Sequence, residues 1–277
     1  MDSKKLFSEI QKKKSYLCIG LDTDIEKIPE HLKKEKASVF LFNKAIIDQT
    51  HQTCVAYKIN TAFYEALGIK GWEFLSQTAR YIKSNYPDIF LIADAKRGDI
   101  GNTSKMYAKA FFEQMPFDAV TVAPYMGKDS IAPFLEFPEK WVIILGLTSN
   151  EGASDFQFQS SAQEKKFLYE SVINTCSKWG TEDNTMFVVG ATKNEQIKTI
   201  RNIIPKHFLL VPGIGTQGGS LEKVSDNGLN DKCGLLVNSS RSIIFKDQSK
   251  AFADSAGKEA EKLQQSMESQ LIKHKII

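Results

Sequence analysis

The stretch FLIADAKRGDI, residues 90–100, decides how the whole chain is interpreted. It begins with an apolar run and then carries Asp94, Lys96 and Asp99 close together. A continuous apolar run is typical of a strand that is buried on both faces of a parallel sheet. Because side chains alternate along a strand, Asp94 and Lys96 should point to the same side. The stretch therefore predicts a buried parallel strand that ends in a group of charges.

Similar runs recur along the chain and alternate with longer stretches of helical spacing. The predicted strands are residues 15–22, 54–60, 90–96, 119–124, 141–148, 186–192, 207–214 and 234–240. The predicted helices are residues 38–50, 71–84, 103–114, 128–136, 162–179, 194–203, 219–224 and 249–273. Eight strand–helix units in about 250 residues predict an α/β fold, the closed (β/α)₈ TIM barrel, with an additional C-terminal helix.

An open, doubly wound sheet is the alternative architecture. Such a sheet would favour a G-x-G-x-x-G turn after the first strand, whereas residues 20–24 read GLDTD. No Pro- or Ser-rich linker divides the sequence. We therefore expect a single barrel domain over residues 1–277.

Composition excludes several classes of protein. The 277 residues include 36 Lys and Arg and 33 Asp and Glu, and this net charge of +3 argues against a nucleic-acid-binding protein. The longest apolar run, residues 141–147, is too short for a membrane helix. Residues 1–5 precede an amphipathic stretch and not an apolar signal, which predicts a cytoplasmic protein. The four cysteines are widely spaced and are interpreted as buried reduced thiols.

In a barrel of this kind the active site lies at the carboxyl ends of the strands. Six polar side chains close the apolar runs at these ends: Asp22, Lys58, Asn60, Asp94, Lys96 and Ser149. Lys58 follows the second strand and Asp94 and Lys96 the third, so an alternating row of charges becomes possible. A structural ion-pair network at the rim is the alternative, but clustered charges that must find partners usually indicate function.

A second anion site is predicted near the seventh and eighth strands. Residues 211–219 read VPGIGTQGG, and glycines such as Gly215 and Gly218 let backbone N–H groups approach an anion. Arg241 follows the eighth strand, and its guanidinium can bind a phosphate through two hydrogen bonds. A plain connection between strand and helix is the alternative for the glycine-rich turn. Together the two loops predict a substrate that carries a phosphate.

At residues 94–103, DAKRGDIGNT, the sequence resembles the orotidine 5′-phosphate decarboxylase family, whose signature is D-x-K-x-x-D-I followed by Thr. The resemblance extends over most of the chain, from GLD at 20–22 through YKINTAFYE at 57–65 to the glycine-rich turn and Arg241. The length, the AKRG form of the signature and PGIGTQGG at 212–219 resemble the longer, second subfamily. Ile59 departs from the proline that this subfamily often has.

The resemblance implies the decarboxylation of orotidine 5′-monophosphate to uridine 5′-monophosphate, the last step of de novo pyrimidine nucleotide synthesis. It implies a catalytic set of Lys58, Asp94, Lys96 and Asp99. Lys96 would protonate C6 of the pyrimidine as carbon dioxide leaves, and Asp94 would lie against the substrate carboxylate. Asp99 would reach into the site of a partner subunit, which implies a homodimer with shared active sites. Neither a metal nor an organic cofactor is expected.

The resemblance also implies which residues bind the substrate. Asp22 and Lys58 would contact the ribose, Ser149 the pyrimidine, and Gln217 and Arg241 the phosphate. Thr103 would contribute from across the dimer interface. With Asn60, Gly215 and Gly218 from the strand ends and the glycine-rich turn, these complete the predicted substrate-binding set.

Two alternative functions remain open at the level of sequence. Sugar-phosphate decarboxylases of the same superfamily share D-x-K-x-x-D but use Mg²⁺. A catalytically silent barrel that binds a phosphate ligand is the other, although such a protein gains nothing from an uncompensated Asp94 facing an anion. A fused phosphoribosyltransferase is not expected, because the eight units and the terminal helix use the whole sequence.

Overall fold

A computed structural model describes residues 1–160, 166–214 and 219–277 of the chain. Within these ranges, eight strands pair in parallel and in chain order, and the eighth strand closes on the first. The strands are β1 (Leu17–Gly20), β2 (Ala56–Asn60), β3 (Phe90–Arg97), β4 (Ala119–Val122), β5 (Trp141–Leu147), β6 (Thr185–Val189), β7 (Phe208–Pro212) and β8 (Leu235–Ser239). The predicted (β/α)₈ barrel is confirmed, and the open sheet is excluded.

Helices connect the strands and cover the barrel. They are α1 (Ser3–Lys13), α2 (Glu30–Lys33), α3 (Ser38–Thr50), α4 (Ala62–Glu65), α5 (Gly68–Asn85), α6 (Gly101–Phe112), α7 (Lys128–Leu135), α8 (Ala153–Phe156), α9 (Leu168–Cys176), α10 (Asn194–Ile203), α11 (Leu221–Gly228), α12 (Arg241–Ile244) and α13 (Phe252–Lys273). The predictions for α3 and α10 agree with the structure at both ends. The four-residue helices α2, α4, α8 and α12 were not predicted, because one turn is too short to show a helical period.

The predicted helix at 162–179 was wrong at its start. Residues 161–165 lie outside the described residues, and the helix begins only at Leu168. Phe167 is extended, and its backbone N–H donates to the Glu170 carboxylate at 2.8 Å. A glutamate side chain that accepts the backbone N–H three residues before it is a signal for the start of a helix. It places the start of α9 later than the apolar spacing alone suggested.

The terminal helices α1 and α13 extend the barrel's hydrophobic core. Leu6 and Ile10 of α1 are fully buried, and the Trp141 indole N–H donates to the Met1 carbonyl at 2.7 Å. In α13, Phe252 stacks on Phe42 of α3 with ring centroids 5.2 Å apart. Both helices thus cover apolar surface that the eight strand–helix units leave open.

The interior of the barrel is apolar over most of the strand length. The strand residues are almost all buried, as their continuously apolar sequence predicts. The four cysteines are buried and free, as interpreted from their spacing. Among the helices of the described ranges, none is long and apolar enough to span a membrane.

Arg201 of α10 joins four elements at the end of the barrel opposite the strands' carboxyl ends. Its guanidinium donates to the carbonyls of Ile204, His207, Gly228 and Gly234 at 2.7 to 3.1 Å. These carbonyls lie at the ends of α10 and α11 and just before β7 and β8. A single planar group therefore satisfies the backbone acceptors of two consecutive units.

We expect Arg201→Ala to lower the free energy of unfolding by about 2–4 kcal/mol, because buried carbonyls lose a charged donor. Urea unfolding followed by circular dichroism measures this change. Arg80→Ala is the matched control, since the exposed Arg80 bonds the Ser76 hydroxyl within its own helix. Equal stabilities for the two variants would contradict this role of Arg201.

Candidate active site

Four charged side chains form an alternating row at the carboxyl ends of β1, β2 and β3. The Lys58 ammonium donates to Asp22 Oδ1 at 3.2 Å and to Asp94 Oδ2 at 3.0 Å. The Lys96 ammonium donates to Asp94 Oδ1 at 2.7 Å. The structure thus brings together the charges that strand alternation predicted, in the order Asp22, Lys58, Asp94, Lys96.

Burial and neighbouring charge oppose each other in this row. Burial alone would raise the pKa of the Asp94 carboxyl, but Lys58 and Lys96 outweigh it and hold that pKa well below its usual range. Burial alone would lower the pKa of Lys58, but Asp22 and Asp94 raise that pKa above its usual value. Asp94 is therefore an anion and Lys58 a cation at neutral pH. Lys96 stands at the outer end, where about half of its side chain is exposed.

The row opens into a cavity of about 340 Å³ at the mouth of the barrel. Of the predicted site residues, seven line this cavity: Asp22, Lys58, Asn60, Asp94, Lys96, Ser149 and Arg241. These residues come from the ends of β1, β2, β3, β5 and β8, so barrel closure is what collects them. The prediction that the strand ends share one site is confirmed in geometry, while the chemical role of each residue stays a prediction.

One wall of the cavity is apolar and was not predicted. Leu145 of β5, Val188 of β6 and Leu210 of β7 line it. The sequence motifs point only to polar strand ends, and these three residues look like ordinary core positions. A signal was available, because each lies one or two residues before the end of its strand. A planar apolar ligand surface can pack against this wall.

The Asn238 side chain was also missed as a site residue. It is 6% exposed, lines the cavity, and its Oδ1 has no hydrogen-bond partner among the described residues. A buried acceptor of this kind costs free energy unless a donor reaches it. Its position in β8, three residues before Arg241, is the sequence signal that could have identified it.

Thr121 of β4 is a further residue that the motifs did not identify. Its fully buried hydroxyl lies 2.9 Å from Asp94 Oδ1 and 2.9 Å from the backbone nitrogen of Lys96. It is the one polar residue in the run AVTV of β4. A polar residue in an otherwise apolar strand of the barrel is the signal that could have drawn attention to it.

The structure describes only part of the predicted phosphate-binding site. Arg241 lines the cavity at the start of α12. Gly213 has a φ of +104°, which favours glycine, and its carbonyl accepts the Gly219 N–H at 3.3 Å, so the turn closes on itself. Gly215, Gln217 and Gly218 lie outside the described residues. Their predicted contact with phosphate stays a prediction.

Asp99 and Thr103 do not line the cavity of their own chain. Asp99 Oδ1 accepts the backbone N–H of Ile100 at 2.7 Å, and the Ser104 hydroxyl donates to the Asp99 carbonyl. Thr103 is exposed on the first turn of α6. The structure therefore separates these two residues from the row of charges within one subunit.

Within residues 1–160, 166–214 and 219–277, no group of three or more His, Cys, Asp and Glu side chains is arranged to hold a metal ion. Asp22 and Asp94 are the carboxylates of the cavity, and Lys58 lies between them. An ammonium in this position occupies the place that a cation would need. The expectation of a reaction without cofactor stays a prediction.

Fold and site together define a (β/α)₈-barrel enzyme whose charged residues stand at the carboxyl ends of the strands and share one cavity with an arginine. Residues 15–256 match the orotidine 5′-phosphate decarboxylase / HUMPS family. The chain belongs to this family, and the resemblance seen in its motifs is confirmed.

Known proteins resemble the chain over nearly its full length. The orotidine 5′-phosphate decarboxylase of Phocaeicola vulgatus is 58% identical over 268 residues, which cover 97% of this chain and 98% of that protein. That of Christiangramia forsetii is 58% identical over 273 residues and covers 99% and 100%. The structure of Leishmania donovani OMP decarboxylase has a TM-score of 0.80 at 34% identity and covers 97% and 99%.

Because the pKa of Asp94 is lowered on folding, its charge stabilises the protein above about pH 4, and this stabilisation is lost as the pH falls further. We therefore expect the stability difference between the parent protein and Asp94→Asn to be constant above about pH 5. Below about pH 4 it should change by up to about 1.4 kcal/mol per pH unit, to the disadvantage of the parent. Urea unfolding at pH values from about 7 to about 3 measures it.

The matched control is Asp231→Asn, which neutralises an exposed carboxylate at the other end of the barrel. This comparison separates the loss of the Asp94 contacts from the loss of one negative charge. If the free energies of unfolding of Asp94→Asn and of the parent differ by a constant amount down to about pH 3, the Asp94 carboxylate is not held ionised by its two lysines.

Proposed function

We propose that the protein decarboxylates orotidine 5′-monophosphate to uridine 5′-monophosphate, without a metal or an organic cofactor. The observation that carries the proposal is the Asp94 carboxylate held between Lys58 and Lys96 at 3.0 and 2.7 Å. Family membership and the names of relatives at 58% identity support it. The reaction places the protein at the last step of pyrimidine nucleotide synthesis.

The charges fit the reaction in the following order. The substrate carboxylate at C6 approaches the ionised Asp94, and the two anions repel each other. When the bond between C6 and the carboxyl carbon breaks, carbon dioxide leaves and the electron pair stays on C6. The neighbouring Lys96 ammonium stabilises this negative charge and then donates its proton to C6. Lys58 keeps Asp94 ionised and in place throughout.

The remaining parts of the cavity match the rest of the substrate. The apolar wall of Leu145, Val188 and Leu210 suits the faces of the pyrimidine, with Ser149 at its edge. We assign Asp22, Asn60 and Lys58 to the ribose, and Arg241 with Gly215, Gln217 and Gly218 to the phosphate. Binding a phosphate remote from C6 supplies binding energy that can orient the ring for reaction.

We further propose a homodimer in which Asp99 and Thr103 complete the partner's site. Large apolar side chains are exposed just before α6, on α6 and after β4: Ile100, Met106, Tyr107, Tyr125 and Met126. Exposed apolar side chains concentrated in one region favour an interface. A cytoplasmic location and a single domain over residues 1–277 belong to the same proposal, and the match over residues 15–256 supports the single domain.

We expect purified protein to remove the ultraviolet absorbance of orotidine 5′-monophosphate, with or without EDTA. Lys96→Ala should lower kcat by at least about 10³-fold, because it removes both the proton donor and the stabilising charge. Lys246→Ala is the matched control, since this lysine pairs with Glu259 of α13 and does not line the cavity, and its kcat should equal that of the parent.

Two results would contradict the proposal. The first is a folded parent protein that leaves orotidine 5′-monophosphate unchanged. The second is an activity that EDTA abolishes and Mg²⁺ restores, which would favour a sugar-phosphate decarboxylase of the same superfamily. Full activity in Lys96→Ala would leave the reaction in place but remove Lys96 from it.

Shared sites predict complementation between two inactive variants. Asp99→Ala and Lys96→Ala should each be inactive alone. When equal amounts of the two variants exchange subunits, half of the dimers contain one subunit of each variant. One of the two sites in each such dimer is intact. We therefore expect about one quarter of the parent activity.

Native mass spectrometry must show the mixed dimers before the activity is read. If mixed dimers form and activity stays at the level of the separate variants, Asp99 acts within its own subunit or not at all. A monomer in sedimentation at working concentration would contradict the homodimer itself.

A further inference from the structure

Thr121 of β4 links two groups of the charged row through one hydroxyl. The Thr121 O–H donates to Asp94 Oδ1, and the same oxygen accepts the backbone N–H of Lys96, both at 2.9 Å. The side chain is fully buried, so water does not compete for either bond.

This arrangement sits at an irregularity in the sheet. Ala93 pairs with Val120, and the next pair is Arg97 with Val122. Three residues of β3 therefore stand opposite Thr121 alone, and a bulge of this kind re-aims side chains near active sites. Regular pairing is lost there, and the Thr121 hydroxyl replaces a backbone carbonyl as the acceptor for the Lys96 N–H.

Lys96 occupies an unusual backbone conformation in this bulge. Its φ is +46°, in the left-handed region that residues with a side chain rarely adopt. Such a conformation persists only where the surroundings hold it, and it is found at functional sites. The hydrogen bond from its N–H to Thr121 is a contact that can hold it.

The Asp94 carboxylate is held by the same residue. Its Oδ1 accepts from the Lys96 ammonium at 2.7 Å and from the Thr121 hydroxyl, and its Oδ2 accepts from Lys58. Lysine ammonium groups are mobile donors at the end of long stems. The short, β-branched Thr121 side chain is stiff and is fixed to a strand. It therefore adds a donor of fixed direction to the contacts that the two lysines make.

We propose that Thr121 is a positioning residue that sets the Asp94 carboxylate and the Lys96 ammonium relative to each other by bonding the side chain of one and the backbone of the other. The inference rests on the proposed decarboxylation, for which it supplies the alignment of the two charges. It concerns the chemical step, because Thr121 does not line the cavity where the substrate would bind.

Paired substitutions separate this role from simple packing. Thr121→Val keeps the shape and removes the hydroxyl, whereas Thr121→Ser keeps the hydroxyl and removes a methyl group. A packing residue tolerates valine at least as well as serine, and a positioning residue tolerates serine better. We expect Thr121→Val to lower kcat on orotidine 5′-monophosphate by about 10- to 100-fold with KM within about threefold, because a small misplacement of reacting groups is costly. Thr121→Ser should stay within about threefold of the parent kcat.

Thr185 provides the matched control. It is a fully buried threonine on β6 whose hydroxyl donates to Asn184 Oδ1, away from the cavity. Thr185→Val should leave kcat unchanged. Thermal unfolding of all variants shows whether each one is folded, and Thr121→Ala replaces the valine variant if that one does not fold.

The outcomes decide between the two roles. A lower kcat in Thr121→Val that Thr121→Ser restores supports the proposal. Equal kcat values in the parent and Thr121→Val, or equal losses in the valine and serine variants, overturn it. If the parent itself does not act on orotidine 5′-monophosphate, the proposed function fails separately. Crystal structures of the two variants then decide the inference, because only Thr121→Val should change φ at Lys96 and the 2.7 Å contact to Asp94.

Discussion

The buried anion of Asp94 is the constraint on which the site depends. A carboxylate that is largely removed from water is unfavourable unless cations and donors surround it. Lys58, Lys96 and Thr121 supply three donors to its two oxygens. Each donor comes from a different place in the sheet, namely β2, the bulged end of β3, and β4. The carboxylate can therefore stay charged only while these neighbouring strands keep their register.

The barrel supplies that register and separates two tasks. The charged row stands at the ends of β1, β2 and β3. Arg241 after β8 and Gly213 after β7 line the same cavity, and Leu145, Val188 and Leu210 give it an apolar wall. In the proposed reaction the charged row meets the substrate carboxylate and Arg241 the phosphate, so binding energy gained at the phosphate can hold the ring against the charges.

The segment after β3 leads from the charged row to the exposed apolar side chains of α6. Asp99 and Thr103 follow the bulge directly and lie outside their own cavity, next to exposed apolar side chains of α6. Arg97 forms an ion pair with Glu65 and lies over the Tyr107 ring, so this segment is fixed from its start. The bulge turns Lys96 into the cavity and directs the residues that follow away from it. The same irregularity therefore determines the position of Lys96 and that of Asp99 and Thr103.

The sequence by itself determined the eight strands, their parallel arrangement and seven of the residues that line the cavity. Apolar runs that end in Asp22, Lys58 or Asp94 carry this information locally, because burial and alternation are properties of short segments. Tertiary structure alone decided that Thr121 contacts Asp94 and that Asn238 and the apolar wall line the cavity. These depend on which strand lies beside which, and on a register shift of β3 against β4 that no local pattern encodes. A threonine in an apolar strand becomes part of a site only when closure of the barrel places a carboxylate next to it.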